Sequence, residues 1–209
     1  MKKYEYVSER DYGPAKDDLI ELIHLVQKEL KNYFTFSYEF IGSASRNMIT
    51  REIKGNIGYD FDVNIRINDP DENYSAEELR EILKYGFDQH CNKFDYDFAE
   101  DKTRVLTIKV KDRKNKRILH SCDFAIVFDC SDGRQQYIRH NKNQQSYSWE
   151  FQPKGFYGLD EKIADIKKHG RWNEVRNLYI EKKNMNQDPN KKSRSLFAEA
   201  VKEVHDRLN

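Results

Sequence analysis

Two aspartates one residue apart are the residues whose spacing most directly suggests chemistry. Asp60 and Asp62 lie in the stretch YDFDVNIRI, which alternates apolar and polar residues and therefore predicts a β-strand. Because side chains alternate between the two faces of a strand, both carboxylates share the face that carries Asn64 and Arg66. Two like charges side by side repel each other unless a positive group lies between them. The pair therefore predicts a bound cation, although a solvated polar strand face would show the same alternation.

A third carboxylate occurs where a surface aspartate is not expected. Asp123 lies in HSCDFAIVF, a run that is apolar on both faces. An unpaired carboxylate removed from water there would cost several kcal/mol or would take up a proton. Asp60, Asp62 and Asp123 together could bind one or two Mg²⁺ ions, which prefer carboxylate oxygens and leave room for substrate phosphates. Two such ions lie roughly 3.5–4 Å apart in sites that catalyse an in-line displacement.

A Gly-Ser pair precedes these aspartates at the end of a short predicted strand, FSYEFI. Glycine at position 42 lets backbone N–H groups approach a phosphate, and the Ser43 hydroxyl adds a hydrogen bond. By itself a Gly-Ser pair commonly marks a turn. Upstream of the three aspartates, the pair predicts phosphate binding.

The order of a Gly-Ser pair, an Asp-x-Asp strand and a later strand aspartate resembles the DNA polymerase beta-type nucleotidyltransferase superfamily, over residues 34 to about 130. The run GSASRN is similar to the GSxxxGT run of the oligoadenylate and cyclic-dinucleotide synthase branch and of template-independent RNA nucleotidyltransferases. Asn47-Met48 stands where those runs have Gly-Thr. The resemblance implies an enzyme that transfers a nucleoside monophosphate from an NTP to an acceptor hydroxyl and releases pyrophosphate. It also implies two Mg²⁺ ions, with Mn²⁺ as an alternative.

The resemblance also implies a role for each matching residue. Asp60 and Asp62 would hold both ions, and Asp123 would complete the metal site near the acceptor and help its hydroxyl lose a proton. Gly42 and Ser43 would bind the terminal phosphates of the NTP.

Charge that develops on the triphosphate must also be matched by fixed positive groups. Arg46 is a candidate because it closely follows the Gly-Ser pair, and Arg104 because of its place at a predicted strand. Lys192 and Ser193 stand at a predicted helix N-terminus, where backbone N–H groups bind anions; a charged helix start with a serine cap explains the same residues. Further candidates are Lys54, Lys109 and Arg194 for phosphate, and Tyr137, Tyr147 and Trp149 for stacking on a base.

No residue identifies the acceptor. The lysine-rich stretches KDRKNKR and KKSR favour RNA, while a small-molecule hydroxyl, a second nucleotide and a protein side chain remain alternatives. A metal-dependent nuclease would use similar aspartates, but it has no triphosphate for Gly42-Ser43 to bind. A non-catalytic nucleotide-binding module has no reason to keep Asp123 inside an apolar strand.

These site residues require a sheet and helices to position them. Residues 14–33 predict one amphipathic helix, and a second begins at a capping box of Ser75 and Glu78. Residues 103–111 and 117–129 predict a hairpin. After residue 135 the pattern predicts short polar helices. The chain is therefore predicted to be α+β, with a short mixed sheet flanked by helices, a nucleotidyltransferase core over residues 1–135, and a helical C-terminal segment over residues 136–209 packed on it.

Composition adds constraints on location and partners. No apolar run among the 209 residues is long enough to cross a bilayer, and the N-terminus lacks the apolar segment of a signal peptide. The three cysteines are an odd, sparse set, which predicts reduced thiols and a cytoplasmic protein. The net charge of +1 means that any contact with nucleic acid requires a local basic patch.

Overall fold

The protein is represented by a computed structural model, which describes residues 2–69, 71–153 and 155–208. The strands in these ranges are β1 (Tyr4–Tyr6), β2 (Thr35–Ile41), β3 (Thr50–Glu52), β4 (Ile57–Asn68), β5 (Glu100–Asp101), β6 (Leu106–Asp112), β7 (Arg117–Asp129), β8 (Gln135–Asn141) and β9 (Ser146–Phe151). The helices are α1 (Glu9–Leu30), α2 (Gly42–Ser45), α3 (Ala76–His90), α4 (Leu159–Lys168), α5 (Trp172–Met185) and α6 (Ser193–Asp206). The chain divides into a larger unit, residues 7–51 and 55–152, and a smaller unit, residues 1–6, 52–54 and 153–209.

The larger unit is built on a mixed sheet. Its strand order is β2-β4-β7-β6-β5, and β8 extends the sheet by pairing with the end of β7 and with β9. Strands β4 and β7 are parallel, whereas β2 pairs antiparallel with β4 and β6 pairs antiparallel with β7. The predicted α+β fold with a mixed sheet and flanking helices is confirmed, and so is the hairpin of β6 and β7.

One face of this sheet is buried under α1 and α3. Phe61, Val63 and Ile65 on β4 are at most 1% exposed and share a single apolar core with residues of the two helices. The rings of Phe87 on α3 and Phe124 on β7 lie 4.2 Å apart between centroids. Because neighbouring residues of a strand point to opposite faces, the polar residues between these apolar ones point away from the core.

The first helix begins earlier than the sequence predicts. It starts at Glu9, and the Ser8 side chain accepts a hydrogen bond of 3.2 Å from the Asp11 amide. The prediction placed Pro14 in the first turn, where proline is favoured, but Pro14 lies inside the helix. A serine cap six residues before the predicted start of the helix at Pro14 begins the helix ahead of the proline, which removes one intrahelical N–H donor.

The prediction that the chain is helical from residue 136 onward is wrong for its first part, because residues 135–151 form the antiparallel hairpin of β8 and β9. Long-range polar contacts hold this hairpin. The buried Arg80 guanidinium of α3 donates to the Ile138 carbonyl at 3.3 Å and to the Asp101 carboxylate at 3.0 Å. The Tyr147 hydroxyl donates to the same carboxylate at 2.6 Å. A local sequence pattern contains no sign of such partners.

The smaller unit contains the three C-terminal helices that the sequence predicts. The N-terminal residues join them: the Tyr6 hydroxyl donates to the Arg176 carbonyl at 2.7 Å, and the Tyr4 amide donates to the Asn184 side chain at 2.6 Å. The helices α5 and α6 meet through the Tyr179 and Phe197 rings. None of the helices in the described ranges is long and apolar enough to cross a membrane.

Candidate active site

Three aspartates lie on the polar face of the sheet. Asp62 on β4 is the register partner of Asp123 on the parallel strand β7, so the two side chains stand next to each other on one face. Asp60 is two residues before Asp62 and lies on the same face, opposite Ser121. Asp60 is exposed, while Asp62 and Asp123 are half-buried. The sheet therefore concentrates negative charge at a place that remains open to a ligand.

The electrostatics of this cluster disfavour full ionisation. Burial, followed by the charges of Asp60 and Asp123, raises the pKa of the Asp62 carboxyl to about 7, against the opposing effect of Arg46. A carboxyl that resists ionisation for these reasons is ionised readily once a cation arrives. The cluster thus has the property expected of a cation site.

The aspartate carboxylates are suitable ligands for an Mg²⁺ ion that is bound partly by the protein and partly by the substrate. Within the described residues, no three His, Cys, Asp or Glu side chains converge in a ready-made metal site. Mg²⁺ is usually held by one or two carboxylates together with substrate phosphates and water, and not by a cage made of protein alone. The neighbouring carboxylates of Asp62 and Asp123 meet that requirement, with Asp60 beside them.

The Gly-Ser pair lies against this cluster. Strand β2 ends at Ile41, the register partner of Asp62, and Gly42 follows in the left-handed conformation, with φ of 65°. A Cβ atom on Gly42 would lie 2.8 Å from Asp62 Oδ2. The Met48 amide donates to the Ser43 carbonyl at 2.8 Å, which fixes the turn. The absence of a side chain at position 42 therefore allows the backbone to approach the carboxylate.

Replacing Gly42 with alanine is expected to damage the site more than the fold. The left-handed backbone costs alanine about 1–2 kcal/mol, and the new methyl group displaces the Asp62 carboxylate. A shift of about 1 Å in a reacting group can cost up to about 100-fold in rate, so we expect a reaction that uses this carboxylate to slow by about 10- to 100-fold.

The matched control for this variant is Gly133→Ala. Gly133 has a φ of 80°, and a Cβ there would meet nothing within 4 Å. Both variants should lose similar thermal stability, measured by circular dichroism, but only Gly42→Ala should lose activity. Equal activity of the two variants would contradict the assigned role of Gly42.

The predicted phosphate-binding residues fall in different places. Arg46 is close enough to Asp62 for its charge to lower the pKa of that carboxyl. The Arg104 guanidinium lies 5.1 Å from the centroid of the Tyr137 ring, which is on the aspartate face of the sheet because Tyr137 pairs with Val127. Val127 is four residues beyond Asp123 along β7, or about 13 Å at the rise of a strand.

The remaining candidates have other partners or belong to the smaller unit. Lys109 donates to Glu100 at 2.5 Å, so its charge is already matched. Lys192 and Ser193 are exposed at the start of α6, with Lys192 as the residue before the first turn. A role for these two residues in nucleotide binding stays a prediction.

Two of the suggested base-stacking residues lie on the wrong face of the sheet. Trp149 pairs with Ile138, a core residue, and both Trp149 and Tyr147 pack against the apolar core. Tyr137 lies on the aspartate face but is only 2% exposed. The strand alternation that placed the aspartates correctly could not be applied here, because this segment was predicted as helix.

The sequence interpretation missed Thr107, which donates a hydrogen bond to Asp123 Oδ1. Thr107 is the register partner of Asp123 on β6 and is 1% exposed. The hairpin prediction brought the two strands together, but their register shifts between Val110 and Lys111. Because of this bulge, counting from the turn would place Asp123 opposite the wrong residue.

Comparisons with known proteins identify the fold. No protein-family model and no curated protein sequence matches the chain. Among solved structures, the chain is similar to the Vibrio cholerae DncV cyclic AMP-GMP synthase in complex with nonhydrolyzable GTP, with a TM-score of 0.58 and 13% identity over 90% of this chain and 52% of that one. This chain therefore spans about half the length of DncV.

Two further structures give the same result. The Elizabethkingia meningoseptica CdnE cyclic dinucleotide synthase with GTP and Apcpp has a TM-score of 0.55 and 11% identity, over 93% of this chain and 70% of that one. The Bradyrhizobium diazoefficiens CD-NTase CdnG in complex with GTP has a TM-score of 0.52 and 12% identity, over 76% of this chain and 42% of that one. The chain therefore has the polymerase beta-type nucleotidyltransferase fold, as these cyclic-dinucleotide synthases do.

Proposed function

We propose that this protein is a Mg²⁺-dependent nucleotidyltransferase that transfers a nucleoside monophosphate from an NTP to a hydroxyl of a second nucleotide. The observation that carries the proposal is the pairing of Asp62 with Asp123 across parallel strands, with Gly42 directly against Asp62. A sheet that positions carboxylates beside a tight Gly-Ser turn provides both a cation site and a phosphate site. A cytoplasmic location belongs to the same proposal, supported by three free cysteines.

The chain's own residues account for most of the chemistry. Bound Mg²⁺ supplies Lewis-acid stabilisation of the charge on the triphosphate. In the roles that the resemblance implies, Asp60 and Asp62 would hold the ions, and Asp123 would complete the metal site near the acceptor and help its hydroxyl lose a proton. The backbone of Gly42 and the Ser43 hydroxyl bind the terminal phosphates. Arg46 adds positive charge near Asp62, and this charge favours binding of the negatively charged triphosphate.

A nucleotide acceptor is favoured over the RNA acceptor that the lysine-rich stretches suggest. The similar structures include synthases of cyclic nucleotides in complex with nucleotides. The basic turn of the β6–β7 hairpin is also partly neutralised. Asp97 pairs with both Lys111 and Arg113 at 2.6 Å, and Asp112 pairs with Arg117 at 3.0 Å. Such pairing weakens the local positive field that RNA binding requires.

The test is a transfer assay with single and paired nucleotides. The purified protein is incubated with α-labelled ATP or GTP, alone and together, with Mg²⁺ or Mn²⁺ and with or without total RNA. Products are separated by thin-layer chromatography after phosphatase treatment. We expect a phosphatase-resistant labelled dinucleotide or oligonucleotide, and no label on RNA.

Two variants make the assay specific. Asp62→Asn should abolish the product, whereas Asp129→Asn should not, because Asp129 lies at the far end of β7 and pairs with Arg66 at 2.6 Å. Label on RNA would replace the nucleotide acceptor with an RNA acceptor. Nucleotide binding without any product, in all NTP pairs, would favour a non-catalytic nucleotide-binding module.

A further inference from the structure

We infer that Thr107 is a positioning residue that fixes the orientation of the Asp123 carboxylate in the metal site, an inference that rests on the proposed function. Thr107 and Asp123 are direct partners on the antiparallel strands β6 and β7. The Thr107 hydroxyl donates a hydrogen bond to Asp123 Oδ1. Facing side chains in such a pair have Cβ atoms about 4.5–5.5 Å apart, so the contact follows from the register.

Thr107 faces two carboxylates, Asp123 on β7 and Glu100 on β5, and its hydroxyl donates to Asp123. On its other side Thr107 is the register partner of Glu100 on β5, a second carboxylate that could accept a hydrogen bond. Glu100 Oε2 instead accepts from the Lys109 ammonium at 2.5 Å, and this contact lowers the pKa of Glu100. A threonine hydroxyl has a single proton, and Thr107 donates it to Asp123.

The order of the strands determines from which side the Thr107 hydroxyl reaches the Asp123 carboxylate. Across the sheet the row reads Asp62 on β4, Asp123 on β7 and Thr107 on β6. Thr107 therefore binds Asp123 from the side opposite to Asp62. One oxygen of Asp123 is held toward β6, which leaves Oδ2 as the oxygen for the side where Asp60 and Asp62 lie. The hydrogen bond thus selects which oxygen faces the metal site.

Burial and residue type make the orientation stable. Thr107 is 1% exposed, so water does not compete for the hydroxyl. A β-branched side chain is stiff at χ1, and a threonine therefore holds its hydroxyl in place more firmly than a serine would. Carboxylates that bind metals are commonly oriented by such hydrogen bonds, and losing one typically costs about 10- to 100-fold in metal affinity or activity.

The experiment measures Mn²⁺ binding without nucleotide, by the electron paramagnetic resonance signal of free Mn²⁺. Thr107→Val has nearly the same shape but lacks the hydroxyl, and we expect it to weaken Mn²⁺ binding by about 10-fold or more. Thr107→Ser keeps the hydroxyl and should remain within about threefold of the unmodified protein, since the hydrogen bond is retained. The melting temperature of each variant is measured in parallel.

The control for a general loosening of β6 is Ile108→Val. Ile108 is the next residue on the same strand and is buried in the apolar core, so this variant loses packing and keeps the hydroxyl. It should lower the melting temperature without changing the dissociation constant for Mn²⁺. A loss of Mn²⁺ affinity in both Thr107→Val and Ile108→Val would overturn the inference, and so would unchanged affinity in Thr107→Val.

The inference and the proposed function can fail separately. Absence of nucleotidyl transfer, together with weak Mn²⁺ binding in Thr107→Val alone, would remove the proposed reaction and leave the positioning role in place. Transfer by the unmodified protein, together with full Mn²⁺ affinity in Thr107→Val, would remove only the positioning role. Where no binding is seen without nucleotide, the variants are compared with a nonhydrolysable NTP at the same concentration in every sample, since substrate phosphates help to hold the ion. A protein that binds Mn²⁺ under neither condition would overturn the inference, because Thr107 would then have no metal ligand to orient.

Discussion

Asp62→Asn should inactivate the protein and at the same time stabilise it at neutral and alkaline pH. Loss of the carboxylate proposed to bind Mg²⁺ removes several kcal/mol of charge stabilisation, so we expect the proposed transfer to fall by on the order of 10³-fold. The same carboxylate is unfavourable for folding, because it is removed from water and faces Asp60 and Asp123. Asparagine keeps the shape and removes the charge.

The pH dependence of this stabilisation has a defined sign. The pKa of Asp62 rises from 3.8 to about 7 on folding, so the folded protein binds a proton that the unfolded chain has released. Below pH 4 the group has no effect on the free energy of unfolding. Between pH 4 and pH 7 it reduces that free energy progressively, by about 1.4 kcal/mol per pKa unit. Above pH 7 the full penalty applies, about 4 kcal/mol for a shift of about three units.

Urea unfolding at a series of pH values would measure this penalty. The stability difference between Asp62→Asn and the unmodified protein should grow from near zero at pH 4 to about 4 kcal/mol at pH 8. Added Mg²⁺ should raise the stability of the unmodified protein at pH 8 and have less effect on the variant. A difference that does not change with pH would mean that Asp62 is not held in a repulsive, buried site.

Asp129→Asn provides a control of opposite sign. A hydrogen bond from Arg66, and a second from Gln135, hold the pKa of Asp129 below its ordinary value. This group therefore contributes stability above its ordinary pKa, and the contribution is lost as the pH falls. Asp129→Asn should be slightly less stable than the unmodified protein at pH 8, because the pair is exposed, and equally stable at low pH.

Arg80→Met should destabilise the larger unit by about 3–5 kcal/mol, the cost of removing one partner from a buried ion pair. Arg80 is 1% exposed. Besides Asp101 and the Ile138 carbonyl, its guanidinium donates to the Lys102 carbonyl at 2.7 Å. Methionine matches the aliphatic part of the side chain but leaves the Asp101 carboxylate and two carbonyls without their donor. The β8–β9 hairpin then loses the hydrogen bond between the Ile138 carbonyl and α3.

Equilibrium unfolding in urea at pH 7 measures this loss. The double variant Arg80→Met/Asp101→Asn should recover part of it, because the carboxylate left behind is neutralised. Arg113→Met is the surface control: Arg113 also pairs with an aspartate, but its side chain is 76% exposed, and little or no change is expected. Equal effects of the two arginine variants would show that burial of the Arg80 pair is not important for stability.

Local patterns in the sequence determined those parts of the fold in which the conformation of each residue depends on residues close to it in the chain. The alternation in YDFDVNIRI predicted β4 and put Asp60 and Asp62 on one face. Ser75 and Glu78 predicted the start of α3, where both hydrogen bonds of the capping box are formed. These features follow from side-chain periodicity and from contacts three residues apart, so they can be found without knowing the fold.

Contacts between residues far apart in the sequence determined the β8–β9 hairpin, which the local patterns did not predict. The β8–β9 segment was predicted as helix, because its strands depend on Arg80, far away in the sequence. Tyr137 and Ile138 are both buried, on opposite faces of β8, so the alternation that signals a strand is absent.

The sequence by itself supplied the three aspartates and the Gly-Ser pair, because each lies in a recognisable local pattern. Only the tertiary structure placed Asp62 beside Asp123, since their strands are parallel and are separated along the chain by α3, β5 and β6. Only the tertiary structure placed Thr107 opposite Asp123, because the bulge between Val110 and Lys111 shifts the register by one residue. A shift of one residue exchanges the faces of a strand, and strand register is set by the packing of the whole sheet.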